Sequence, residues 1–296
     1  MKQLFFFYLL IAGGLAIFSY GFIDQGLGIL VKRDYQLSGG IFVVLLLGLF
    51  VLYGYALSLI KNNKLHLPDL KKIIIILAFV LTASYPALSH DIFNYITTAK
   101  LTFFHGENPY LIMPTEIPHE PYLSFTRAAN KTALYGPVWI GLTAIPHFLG
   151  QNNIWLTIFM FKLFNAGFYL LMVWLIYKLT RNIFNAAFFA LNPLVIIETL
   201  VSGHNDIVMM ALALAGISLI FNKKNIGWLL FLSSFLVKGV TLALLPLFFF
   251  RNLSRTNCYL LSTIILLIAY LIFAPLREEL YPWYAIWFLS FAALLP

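Results

Sequence analysis

Apolar residues run along this chain in blocks rather than in alternation. Blocks at 4–24, 40–60, 73–89, 154–178, 183–201, 205–221, 226–238 continued by 240–251, 258–275 and 282–296 are nearly free of charge. No period of two runs through them, so a barrel is excluded and helices must satisfy the backbone in lipid. About 20 residues at 1.5 Å each cross a hydrocarbon core of roughly 30 Å. The pattern predicts an all-α polytopic membrane protein, a single domain over 1–296 with about ten spans. The first block follows Met1, Lys2 and Gln3, but it is longer than the core of a secretory signal and no cleavage-site pattern follows. It is read as a retained helix.

The longest interruption is 89–153, an external loop that opens "SHDIFNYITTAK". Ile92, Tyr95, Ile96, Ala99 and Phe103 recur at helical spacing with Asn94, Thr97, Thr98 and Lys100 between them, until Gly106 stops the helix. This predicts an interfacial helix with Asp91 at its N-terminus. By position Asp91 is an N-cap or a catalytic acid, and the two roles are compatible. The loop also carries His105, Glu107, Glu116, His119, Glu120, Arg127 and Lys131. Its last part, "LYGPVWIGLTAIPHFLG" at 134–150, holds Pro137, Gly141 and Pro146 and is expected not to cross the membrane fully.

Two further polar points interrupt the apolar blocks. In "NPLVIIETLVSGHNDIVMMALALAG" the residues Glu198, His204, Asn205 and Asp206 lie within nine positions of one another. A helix turn with Asn205 or Asp206 as cap explains part of this cluster and leaves Glu198 and His204 without a reason to be there, so it is read as a substrate site. Lys238 stands in "FLSSFLVKGVTLALLPLFFF". As one helix the run would carry the lysine near mid-membrane at a cost of about 3 kcal/mol or more, whereas two short helices hinged at Lys238 and Gly239 would lift it outward. Either way an anion or a lipid headgroup should meet the ammonium.

Composition and charge then narrow the class. The chain is 61% hydrophobic and 10% charged, against about 45–50% and about 25% in soluble domains. With the N-terminus inside, Lys61, Lys64, Lys71, Lys72, Lys178, Arg181, Lys223, Lys224, Arg251 and Arg255 fall in short cytoplasmic loops, and only Asp69 of the eleven acids joins them. The net charge of +8 therefore points to anionic membrane lipid, and no nucleic-acid partner is expected. The one cysteine, Cys258, excludes an intramolecular disulfide and a cysteine-rich metal site. Asn130, Lys131 and Thr132 match a glycosylation sequon, relevant only in a eukaryotic secretory route.

In order along the chain, "SHDIFNYITTAKLTFFHGENPY", "LYGPVW", "NPLVIIETLVSGHNDIVMMALALAG", "FLVKG" and "YPWYAIWFLSFAALL" resemble the GT-C glycosyltransferases that use polyprenyl-phosphate sugars. The likeness is greatest to the bacterial polyprenyl-phosphomannose-dependent α-mannosyltransferases, and more distant to the GPI mannosyltransferase catalytic subunit. It implies a GT-C helical bundle in a prokaryotic plasma membrane with its active site on the extracytoplasmic face. It implies mannose or another hexose moved with inversion from the lipid donor to a glycan or glycolipid acceptor, Asp91 being the base. Lys238, His204, Arg127 and Lys131 are implied as phosphate cations, and His90, Tyr135, Glu198, Asn205 and Asp206 complete the implied binding set. No second acid lies within two residues of Asp91, so the paired-acid metal motif of some members is absent and no cofactor is expected. The chain stops soon after "PWYAIWF", where relatives often continue, which implies a further helix or a partner subunit. The rival readings are a secondary transporter, for which the internal repeats are missing, and a non-catalytic assembly subunit.

Overall fold

The computed structural model describes residues 2–21, 35–117, 120, 122–250, 252–277 and 279–295. Residues 22–24 of the first expected span, His119, Arg251 and the acids Asp24, Asp34 and Glu278 lie outside them. All regular structure among the described residues is helical. Three helices come first: α1 (Lys2–Tyr20), α2 (Tyr35–Lys61) and α3 (Leu67–Thr82). The loop region holds α4 (Asp91–Phe103) and α5 (Pro137–Leu149). Then follow α6 (Ile154–Thr180), α7 (Ile183–Ala190), α8 (Pro193–Ile196), α9 (Asp206–Phe221), α10 (Ile226–Phe235), α11 (Arg255–Ile268), α12 (Ala274–Arg277) and α13 (Ala285–Ala292).

The helices α1, α2, α6 and α11, the last extended to Ile272, are long and apolar enough to cross a membrane. The pair α7 and α8, bent by 55°, makes a fifth candidate. The other expected spans are shorter because apolar runs continue across helix breaks that hydropathy alone does not register. Asn192 is one such break: its side chain accepts the N–H of Leu194, and Pro193 starts the next helix. Another lies at Lys238, whose extended backbone separates α10 from an 11-residue 3-10 helix, Gly239–Phe249. Of the two arrangements open for this run, the structure has the hinge.

Contacts sort the helix ends into two sets. At one end, Lys61 lies over the Phe184 ring and Arg255 donates to the Asn222 side chain at 2.6 Å. At the other, Tyr20 donates to the Ala83 carbonyl, Tyr85 packs on Trp155 at the start of α6, and Lys238 meets Asp206. Helix α5 begins and ends in the second set. Gly136 and Val138 donate to the carbonyls of Val237 and Leu236, both at 3.1 Å, and Asn153 caps α6 just beyond the last turn of α5. A Cβ at Gly136 would collide with the Leu236 carbonyl, so only glycine allows this approach. At 13 residues, or about 20 Å, α5 also falls short of a full crossing.

Helix α4 is amphipathic as expected, but its polar face does not meet solvent. Every residue from Ile92 to Leu101 is buried, because Glu120, Phe125, Thr126, Ala128 and Tyr135 of the following loop pack over it. Lys100 and Glu120 form a buried ion pair at 2.9 Å beneath that cover, and His105 lies 3.4 Å from the other Glu120 oxygen.

Candidate functional site

Asp91 is the first residue of α4 and His90 holds the cap position. The N–H of Asp91 donates to Ser89 Oγ at 3.2 Å, and its carboxylate faces the side chains of its neighbours. Asn94 Nδ2 donates to Oδ1 at 3.4 Å, and His204 Nδ1 lies 3.3 Å from Oδ2. His204 Nε2 lies 3.3 Å from a Glu198 carboxylate oxygen on the opposite side. Neither ring nitrogen is aligned for a hydrogen bond, so charge rather than directed bonding holds the imidazole between the two acids.

The backbone explains this placement. After α8 the helix widens into a π turn, Ile197–Val201, that carries Glu198. The N–H of His204 then donates to the Glu198 carbonyl at 3.0 Å, turning the ring back toward the acid. Gly203 has φ +79, a conformation that glycine adopts without strain. Its carbonyl accepts from Asn165 Nδ2 of α6 at 2.5 Å, which fixes the turn against the bundle.

Burial opposes charge on His204, but the two carboxylates of Asp91 and Glu198, each 3.3 Å from a ring nitrogen, outweigh it and raise its pKa to about 9. Burial likewise pushes the Asp91 carboxyl up, yet His204, Lys238 and Asn94 together hold it below the ordinary carboxylate value. At neutral pH the pair is an imidazolium facing the Asp91 carboxylate. His204 is wholly buried, whereas the Asp91 side chain is 26% exposed, so the acid is the member that a substrate can touch.

A second ion group adjoins the first. Asp206, the first residue of α9, is fully buried and accepts from Lys238 Nζ at 3.1 Å on each oxygen. Trp287 Nε1 donates to the same carboxylate at 2.6 Å. Lys238 also lies over the Tyr284 ring, 4.7 Å from its centre. The anion expected for Lys238 is thus supplied by the protein itself. Trp283 stacks on His204 with ring centres 4.1 Å apart and planes 19° apart.

The remaining expected residues divide. Asn205 precedes α9, but its side chain makes no cap bond; both amide atoms are buried without a partner. Capping by Asp91 or Asn205 side chains is therefore not what the structure uses. Tyr135 is buried edge-on against Tyr95, whose hydroxyl accepts from the Asn205 N–H at 3.3 Å. Arg127 and Lys131 are exposed on a turn tied to the site, since the Ala128 N–H donates to Asn94 Oδ1 at 3.2 Å. His90 stands apart, with Nδ1 3.4 Å from the Phe125 carbonyl of the loop. Among the described residues no group of three or more His, Cys, Asp or Glu side chains is arranged to hold a metal.

Several participants were not singled out from the sequence: Asn94, Tyr95, Trp283, Trp287 and Lys162. Lys162 is buried inside α6 and donates to the carbonyl and hydroxyl of Ser84, fastening the segment that leads to Asp91. It interrupts "IWLTIFMFKLFNAGF", and the cost of a lone cation in an apolar run, applied above to Lys238, would have flagged it.

Comparison with known proteins gives two findings. A 194-residue stretch is 27% identical to "Alpha-(1->6)-mannopyranosyltransferase A" of Mycobacterium tuberculosis (strain ATCC 25618 / H37Rv), covering 60% of this chain and 36% of that protein. The chain thus spans little more than a third of that relative's length. No solved structure matches. Residues 10–252 match the family described as "Alpha-(1->6)-mannopyranosyltransferase, N-terminal domain". That stretch holds Asp91, Glu198, His204, Asp206 and Lys238, and the chain belongs to this family.

Proposed function

We propose that this chain is a membrane mannosyltransferase, with Asp91 as general base and a polyprenyl-phosphate sugar as donor. The observation that carries the reading is the Asp91 carboxylate, kept ionised by a buried imidazolium yet open to substrate. The acceptor hydroxyl oxygen attacks the anomeric carbon as the bond from that carbon to the phosphate oxygen breaks. The phosphate leaves with the bonding pair, and the hydroxyl proton passes to Asp91. One displacement inverts the anomeric configuration. The leaving phosphate needs no proton, so a single base suffices.

Charge on the phosphate is met from two sides. Lys238 has one N–H beyond the two given to Asp206, and Arg127 and Lys131 stand free on the covering turn. The polar cavity lined by Asn94, Thr97, Thr126, Lys131 and Tyr135 has a volume of about 10 Å³, room for about one water, so a glycan or glycolipid acceptor reaches Asp91 from the exposed side of its carboxylate. The orphaned Asn205 amide is a buried group whose cost falls when a substrate hydroxyl reaches it.

The test is transfer itself. Purified protein given polyprenyl-phosphomannose and a mannoside acceptor should form an α-mannoside and release polyprenyl phosphate. Solute flux in liposomes with no glycoside formed would replace this reading with a transporter.

The site is placed on the extracytoplasmic side of the plasma membrane, which rests on the cations gathered at the opposite end of the bundle. In a background lacking Cys258, cysteines at Lys64 and Lys223 should be labelled only from the cytoplasm. One at the exposed Asn130 should be labelled only from outside. The reverse pattern would put the site inside the cell.

A further inference from the structure

The aromatic segment Tyr281–Trp287 lies beyond the family-matching residues, yet it touches three ions of the site, His204, Asp206 and Lys238. Trp283 lies between two rings, parallel to Tyr281 at 4.4 Å and 8° and against His204 at 4.1 Å. Trp287 bonds Asp206, and its own ring stacks on Tyr284 at 4.3 Å. Tyr284 in turn carries the Lys238 ammonium. Three ions from α9, its preceding turn and the Lys238 hinge are therefore held by side chains of one seven-residue stretch.

His204 shows what this accomplishes. Its contacts to Asp91 and Glu198 are charge contacts without alignment, so they leave the ring free to rotate about the line joining them. The Trp283 face removes that freedom, and its π electrons favour the cationic form of the imidazole. We propose that Trp283 is a positioning residue for the transfer reaction: by fixing the plane of His204 it fixes where the Asp91 carboxylate points. This rests on Asp91 being the base. The charged groups that face His204 are Asp91 of α4 and Glu198 of the π turn; Asp206 of α9 and Lys238 of the hinge form the adjoining pair, and Lys162 of α6 lies beside Gly203. The substitution leaves all five unchanged.

The experiment reads His204 directly. In detergent-solubilised protein with isotope-labelled imidazoles, the His204 signal is identified by its loss in His204→Gln and titrated. Trp283→Leu should lower its midpoint by roughly 1.5 pH units, the size a desolvated cation–π contact confers. Trp283→Phe, which keeps a smaller aromatic face, should lie between. In the transfer assay the leucine variant should lose about tenfold or more in kcat with donor KM little changed, and the alkaline limb of the rate should move down with the His204 midpoint. A merely structural tryptophan would lower activity at every pH and leave both the limb and the midpoint in place, which overturns the proposal. If the leucine variant does not fold, the phenylalanine variant decides: an unchanged midpoint overturns it. The titration needs no substrate, so wild-type protein that titrates as expected but transfers no sugar would count against the glycosyltransferase reading alone.

Discussion

Asp91→Asn should fold and bind donor like the wild type while losing about 10²–10⁴-fold in turnover, the range for removing a general base. The structure makes this a clean substitution. Asp91 is not the cap of α4, and asparagine preserves the shape that Asn94 and His204 pack against. His204 keeps Glu198 as its counter-ion. Donor affinity, measured by quenching of tryptophan fluorescence on adding lipid phosphosugar, should be near normal, and so should the thermal midpoint. Turnover within a few-fold of wild type would remove Asp91 from the chemistry and leave the family likeness without a base.

The second large effect concerns Lys238. Lys238→Met leaves the fully buried Asp206 with only the Trp287 N–H, and removing one partner of a buried ion pair costs about 3–5 kcal/mol. The thermal midpoint should fall by several degrees. Adding Asp206→Asn removes the stranded charge and should recover most of that stability. The pair of substitutions then separates two roles in one comparison. If Lys238 also holds the leaving phosphate, the double variant is stable but slow, with turnover and donor affinity both reduced. Recovery of turnover along with stability would make Lys238 the counter-ion of Asp206 and nothing more, and the phosphate would fall to Arg127 and Lys131.

How much of this was legible in advance depended on whether the physics was local. Helical class, the long apolar helices and the two arrangements open at Lys238 follow from composition and from the cost of a lone charge, each readable in a short window. Asn192 followed by Pro193 announces a break equally well, but hydropathy averaged over 183–201 smooths it away. Pairings between distant segments were another matter. Nothing near Asp91 in sequence says that His204 will lie against it, and Lys238 finds Asp206 from 32 residues away. The periodicity of α4 marked a polar face correctly, while what covers that face is set by a loop whose own sequence has no period. Trp283 and Trp287 sat in a motif noticed only as a likeness, because an aromatic side chain in an apolar run carries no sign that its partner is an ion.

The π turn at Ile197–Val201 has one more consequence. A π turn is an α-helix with a residue inserted. Deleting one residue between Ile197 and Val201 would let the helix close into regular α geometry and take away the wide reach by which the His204 N–H meets the Glu198 carbonyl. Glu198 and His204 would then leave a common side, although every side chain named in the site would still be encoded. The site is therefore vulnerable to a lost codon in a stretch of plain isoleucine, threonine, leucine and valine, where a substitution of one apolar residue for another would pass almost unnoticed.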